Sequence, residues 1–116
     1  MIVNLEFQNT GGDCRGKILF FKSENLTINL FEIKNGFARG GHLHDYDIVH
    51  TLIYGKIEHR TKSQNSDDEK IEIIYAPAII KIPAKTVNLI IALEDSVFSE
   101  IFTTKYKSIA FPEYRE

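Results

Sequence analysis

The strongest constraint on this chain is the period of its apolar residues. They recur every second position or in short solid runs, with turn residues about every ten positions. Strands are expected over Ile2–Gln8, Lys17–Phe21, Leu26–Lys34, Ala38–His44, Ile48–Tyr54, Lys56–Lys62, Lys70–Ala76, Ala78–Ile82, Val87–Leu93 and Val97–Thr103. Gly11-Gly12-Asp13, Asn35-Gly36, Gly55, Pro77, Pro83 and Glu94-Asp95 supply turns between them. Short strands at this spacing, without helical periodicity, predict an all-β sandwich or closed barrel. The polar stretch Thr61 to Glu69 reads as the exposed loop of a long hairpin, with Asp67-Asp68 as its solvated tip.

A chain of 116 residues holds one core, so a single domain over 1–116 is expected. With 43% apolar and 26% charged residues, the composition is that of a folded chain. A net charge of −2 offers no field for nucleic acid or an anionic membrane, so a phosphate-bearing ligand would need a few local arginines. The segment Met1 to Glu6 has neither region of a signal peptide, and no apolar run approaches the ~18 residues of a spanning helix. Cys14 is the single cysteine, which excludes an intramolecular disulfide and a cysteine-rich zinc site. It has no basic partner or helix N-terminus and is assigned no reactivity. A cytoplasmic location is the expectation.

Two strands give the inside–outside phase. Lys56, Glu58, Arg60 and Lys62 share one face, so Ile57, His59 and Thr61 should point inward. Val87–Leu93 is apolar on both faces and must be covered twice, by the outer sheet of the same domain or by a second subunit. A homodimer with sheet packed on sheet, with room for an exchanged N-terminal strand, is expected.

His42 and His44 lie two apart on one strand, so their imidazoles share a face with Cβ atoms roughly 6–7 Å apart. That spacing suits chelation of one metal or the flanking of one substrate carbon. Gly40 and Gly41 allow close approach of a ligand to the backbone. Asp45-Tyr46-Asp47 turns the chain into the next strand.

The segment Gly36 to Gly55, with His42 and His44 in register, resembles the first cupin motif. Pro77 to Asn88, around Ile82-Pro83-Ala84, resembles the second. The resemblance implies a cupin-type double-stranded β-helix, a jelly-roll barrel, with both imidazoles at its mouth. Metal-binding cupins use three histidines and a glutamate. Here the glutamate position is Ile48 and the last histidine position is Asn88. An apolar side chain cannot ligate, and an amide oxygen is a poor ligand for a first-row transition metal. His50 lies one strand repeat too far, and Asp47 has the opposite phase. No tightly held metal and no cofactor are expected.

Asp13-Cys14-Arg15-Gly16 and Arg39-Gly40-Gly41-His42 look like the sugar-nucleotide branch of that superfamily, the 3,4-ketoisomerases and 3,5-epimerases, as does the aromatic tail Phe102 to Tyr114. That resemblance implies metal-independent proton transfer on a nucleotide-linked keto-sugar. His44 would be the base and His42 its partner. Arg39 at the rim and Arg15 would meet phosphate, and Asn88, His50 and His59 would bind substrate. Each of these has a structural alternative: a core histidine, an arginine capping strand carbonyls, an asparagine filling a hole. Tyr46 and Tyr54 are read as packing. A metal cupin using His42, His44 and one of His50, His59 or Asn88, and a non-catalytic small-molecule-binding cupin, remain the alternatives.

Overall fold

The computed structural model describes residues 5–23, 26–103 and 108–110, with side chains up to residue 101. These residues form strands β1 (Glu6–Asp13), β2 (Gly16–Ser23), β3 (Leu26–Ile33), β4 (Ala38–His44), β5 (Ile48–Tyr54) and β6 (Lys56–Ser63). They continue through β7 (Glu69–Tyr75), β8 (Ala78–Ile82), β9 (Thr86–Ala92), β10 (Ser96–Thr103) and β11 (Ser108–Ala110). One sheet has the order β1-β2-β3-β10-β5-β8, and the other β11-β4-β9-β6-β7. All pairings are antiparallel, and consecutive strands repeatedly cross between the sheets, as in a jelly roll. No described helix is long and apolar enough to cross a membrane.

The alternation read from the sequence becomes the inner faces of the two sheets. Ile33, Ile48, Leu52, Ile57, Ile82, Ile90 and Phe98 form the main core. Each fully buried side chain of this size contributes about 1.5–3 kcal/mol. Ile48 is 1% exposed and lies opposite Ile82 on β8, so the motif's glutamate position has become a core contact. Val87 and Leu89, on the other face of β9, form a second cluster with Ala38 and Leu43. Both faces of β9 are therefore buried within one chain.

The N-terminal turn lies later than expected. Gly11-Gly12-Asp13 belongs to β1, and Cys14-Arg15 form the turn, because the Asp13 carboxylate accepts the Arg15 amide proton at 2.9 Å and closes it. Gly12 takes a φ of 121°, which lets the hairpin close tightly. The short β11 was missed because three residues carry no readable period. Residues 2–4 of the first expected strand, and most of the aromatic tail, lie outside the described residues.

The outer face of the larger sheet is apolar. The register aligns Phe7, Phe21, Ile28, Ile101 and Val49 in one row across five strands. Phe7 and Phe21 meet edge to face at 5.7 Å.

Candidate functional site

Four strands bring the polar residues of the interior together. Strand β4 carries Arg39, His42 and His44, and β9 carries Asn88. Strand β5 carries His50, and β10 carries Glu100. The β4–β9 register slips between Gly40 and His42, a bulge that re-aims the histidine pair. Gly40 is required there: its φ is 119°, and a side chain would run into the Asn88 carbonyl. Beyond the bulge His42 lies directly opposite Asn88. The turn before β9 is pinned to the same place, because the His44 carbonyl accepts from the Lys85 amide (2.7 Å) and Asp47 accepts from the Ala84 amide (2.8 Å). The two sequence motifs are thus joined through backbone hydrogen bonds beside the histidines.

Between the sheets lies a cavity of about 300 Å³, lined by His42, His44, His50, Asn88, Glu100 and Arg39 among others. Phe31 and Phe98 stack at 4.8 Å in its wall, and the His50 ring tilts against Phe98 at 5.1 Å. His50 Nε2 and Glu100 Oε2 are 2.7 Å apart, a charge-assisted hydrogen bond. Burial pushes the His44 pKa down from its ordinary value; Glu100 opposes this and the neighbouring His42 reinforces it. His44 is accordingly a neutral imidazole near neutral pH, the form able to take a proton.

The structure brings the candidate residues His42, His44, His50, Asn88, Arg39 and Arg15 together in the lining of one cavity. Several residues have places or partners that the sequence did not show. Arg39 is not at the rim: it is 6% exposed, and it donates to the carbonyls of Gly16 (Nη2, 2.9 Å) and Glu32 (Nε, 3.2 Å), tying β4 to the larger sheet. Arg15 is paired bidentately with Asp13, whose carboxyl this arginine lowers to about 2. His59 is buried and inward as expected but stays out of the cavity lining, diagonally across the strand pair from Asn88. Tyr54, read as packing, is 65% exposed, whereas Tyr46 packs against the core.

Glu100 and Asn29 were missed. Both line the cavity, and Glu100 brings a carboxylate where the motif reading expected none in phase. The sequence carried one signal, a lone acidic residue in the apolar run Val97 to Phe102, a pattern that demands a buried partner.

Ile48, at the motif's glutamate position, is in the core, and Asn88 stands at its last histidine position; among the described residues no group of three His, Cys, Asp or Glu side chains is placed to hold an ion.

No protein-family model and no curated protein sequence matches the chain. Solved structures do match in fold. The capsular polysaccharide assembling protein CapF from Staphylococcus aureus superposes with a TM-score of 0.73 at 18% identity, over 83% of this chain and 28% of that one. A variant of Bacillus subtilis oxalate decarboxylase gives 0.75 at 19% identity, over 92% and 31%. The formate complex of Lactobacillus farciminis oxalate decarboxylase gives 0.75 at 17% identity, over 91% and 34%. The chain spans only about a third of the length of these proteins. Two antiparallel sheets, a His-x-His pair lining the cavity between them and these neighbours together give this chain a cupin-type jelly-roll fold.

Proposed function

We propose that this small cupin is a metal-independent isomerase or epimerase of a keto-sugar, nucleotide-linked outside the cavity. The supporting observation is a single cavity holding His42, His44 and the His50–Glu100 pair, with His44 kept neutral by burial. A carbon-bound proton next to a ketone moves to the His44 imidazole. The C–H electron pair passes into the carbonyl as an enolate, and the proton returns to carbon. His42 holds the substrate oxygen or delivers the returning proton. General acid–base catalysis of this kind supplies about 10²–10⁴-fold. A volume of about 300 Å³ is at the small end of ligand pockets, which suits a sugar ring and leaves a nucleotide outside. A neighbour that assembles a capsular polysaccharide favours a carbohydrate ligand. The exposed single thiol of Cys14 favours a reducing, cytoplasmic setting.

The test is uptake of solvent deuterium into a bound nucleotide-linked keto-sugar, read by mass spectrometry. Wild-type protein should exchange, and His44→Ala should abolish exchange while binding stays within a few-fold. Full exchange in His44→Ala, or no binding by the wild type at millimolar concentration, would make a binding module the better account. Stoichiometric metal surviving chelation and dialysis would replace this scheme with a metal-centred one.

A further inference from the structure

Glu100 lies between Asn29 and His50: the register pairs it with Asn29 on β3 and with His50 on β5. All three side chains come from the inner face of the larger sheet and line the cavity opposite the His-x-His strand. We propose that this Asn29–Glu100–His50 row is a hydroxyl-recognition wall, with Glu100 accepting from a neutral sugar hydroxyl and His50 holding the carboxylate in place.

Three observations carry this. Glu100 is the carboxylate of the cavity lining, and only its Oε2 is engaged by a described residue, through His50; Oε1 is left to accept. A carboxylate is an acceptor only, so the group it faces must be a donor, and a second negative charge would be repelled. The flanking residues are buried polar groups: Asn29 is 6% and His50 4% exposed, and Asn29 Oδ1 and His50 Nδ1 are buried without a hydrogen-bond partner among the described residues. Two buried polar atoms left unpaired carry a cost that a hydroxylated ligand, which both donates and accepts, would relieve. The wall therefore selects hydroxylated, locally neutral ligands and disfavours small dicarboxylates, although two of the fold neighbours are oxalate decarboxylases.

This inference rests on the carbohydrate reading, but its test reads binding rather than chemistry. Calorimetric titration would compare a hexose 1-phosphate, inorganic phosphate and oxalate on the wild type, Glu100→Gln, Glu100→Asp and Asn29→Ala. The expected result is a wild type that binds the hexose 1-phosphate at least tenfold tighter than phosphate, and oxalate no tighter than phosphate. Glu100→Gln should weaken the sugar by about ten- to a hundredfold, the loss of one charge-assisted hydrogen bond, and bind phosphate no more weakly than the wild type does. Asn29→Ala should shift the sugar in the same direction, and Glu100→Asp should restore part of the affinity. Unchanged sugar affinity in both Glu100→Gln and Asn29→Ala, tighter binding of oxalate than of the sugar, or no sugar binding by the wild type would each overturn the proposal. Deuterium exchange that survives an unchanged Glu100→Gln affinity would sink this wall alone. Glu100-dependent sugar binding without exchange would sink only the proposed chemistry.

Discussion

His59 on β6 lies diagonally across from Asn88 on β9, since the register places Thr61 opposite Asn88 and His59 opposite Ile90. Burial is the main reason its pKa falls to about 4, with the nearby His50 adding to the effect. In the unfolded chain the same group titrates near ~6.5, so the unfolded state binds more protons between those values. Stability is therefore complete above about pH 6.5 and declines as the pH falls toward 4, by on the order of 3 kcal/mol from this residue. The urea midpoint should drop between pH 7 and 4.5, and His59→Gln should flatten that slope. An equally steep profile in the variant would assign the acid sensitivity elsewhere.

Arg39 is expected to matter first for stability. Its guanidinium satisfies the carbonyls of Gly16 and Glu32 from two directions inside the barrel wall. Arg39→Ala leaves both acceptors short of a donor at a cost on the order of 3 kcal/mol. Arg39→Lys should recover little, because a point charge cannot reproduce the planar fork. Equilibrium denaturation of both variants would show this, and a wild-type midpoint in Arg39→Ala would refute it.

Most of the architecture was readable from period and punctuation: β3 to β10 lie within two residues of their expected bounds, because alternation and turn residues agree there. The histidine pair was readable because strand geometry alone places residues 42 and 44 on one face. Arg39 was misplaced because sequence shows that a guanidinium is present but not which carbonyls come within reach after the sheets cross. Glu100 and Asn29 were missed for a related reason. Their meaning comes from the β3–β10–β5 order, which joins residues 50 and 71 positions apart in sequence to Glu100, and no local pattern reveals that adjacency.

The row Phe7, Phe21, Ile28, Ile101 and Val49 on the outer face of the larger sheet is where we expect a second copy of the chain to pack. Six strands at ~4.8 Å spacing and about 7 residues long give a footprint on the order of 600–700 Å², near the ~800 Å² per partner of a stable interface. A row running across one face can meet its own two-fold copy. Light scattering should report a dimer, and Ile101→Glu, which places a charge at a position now 43% exposed, should give a folded monomer. A wild-type monomer at micromolar concentration, or a dimeric Ile101→Glu, would remove this face from consideration.

The last prediction separates the two glycines that frame the first motif. Gly36 and Gly55 both have positive φ, 89° and 100°, so a side chain at either carries a backbone cost of about 1–2 kcal/mol. Their surroundings differ. A Cβ at Gly36 would meet nothing within 4 Å, since the turn between β3 and β4 opens to solvent. A Cβ at Gly55 would run into the Ser96 side chain and lie 2.6 Å from the Asp95 carbonyl and 2.7 Å from the Ser96 Cα. Ser96 cannot swing away cheaply: its hydroxyl donates to the Glu94 carbonyl at 2.8 Å and accepts from the Lys56 amide at 3.2 Å. Gly55→Ala must therefore add an overpacking cost of about 1–3 kcal/mol and disturb the entry to β10, the strand that carries Glu100. Gly36→Ala should lower stability by about 1–2 kcal/mol and leave ligand binding intact, whereas Gly55→Ala should cost on the order of 3–4 kcal/mol and weaken it. Urea midpoints of the two variants measured side by side decide the matter, and equal losses would show that φ alone, not the contact with Ser96, makes the second glycine necessary.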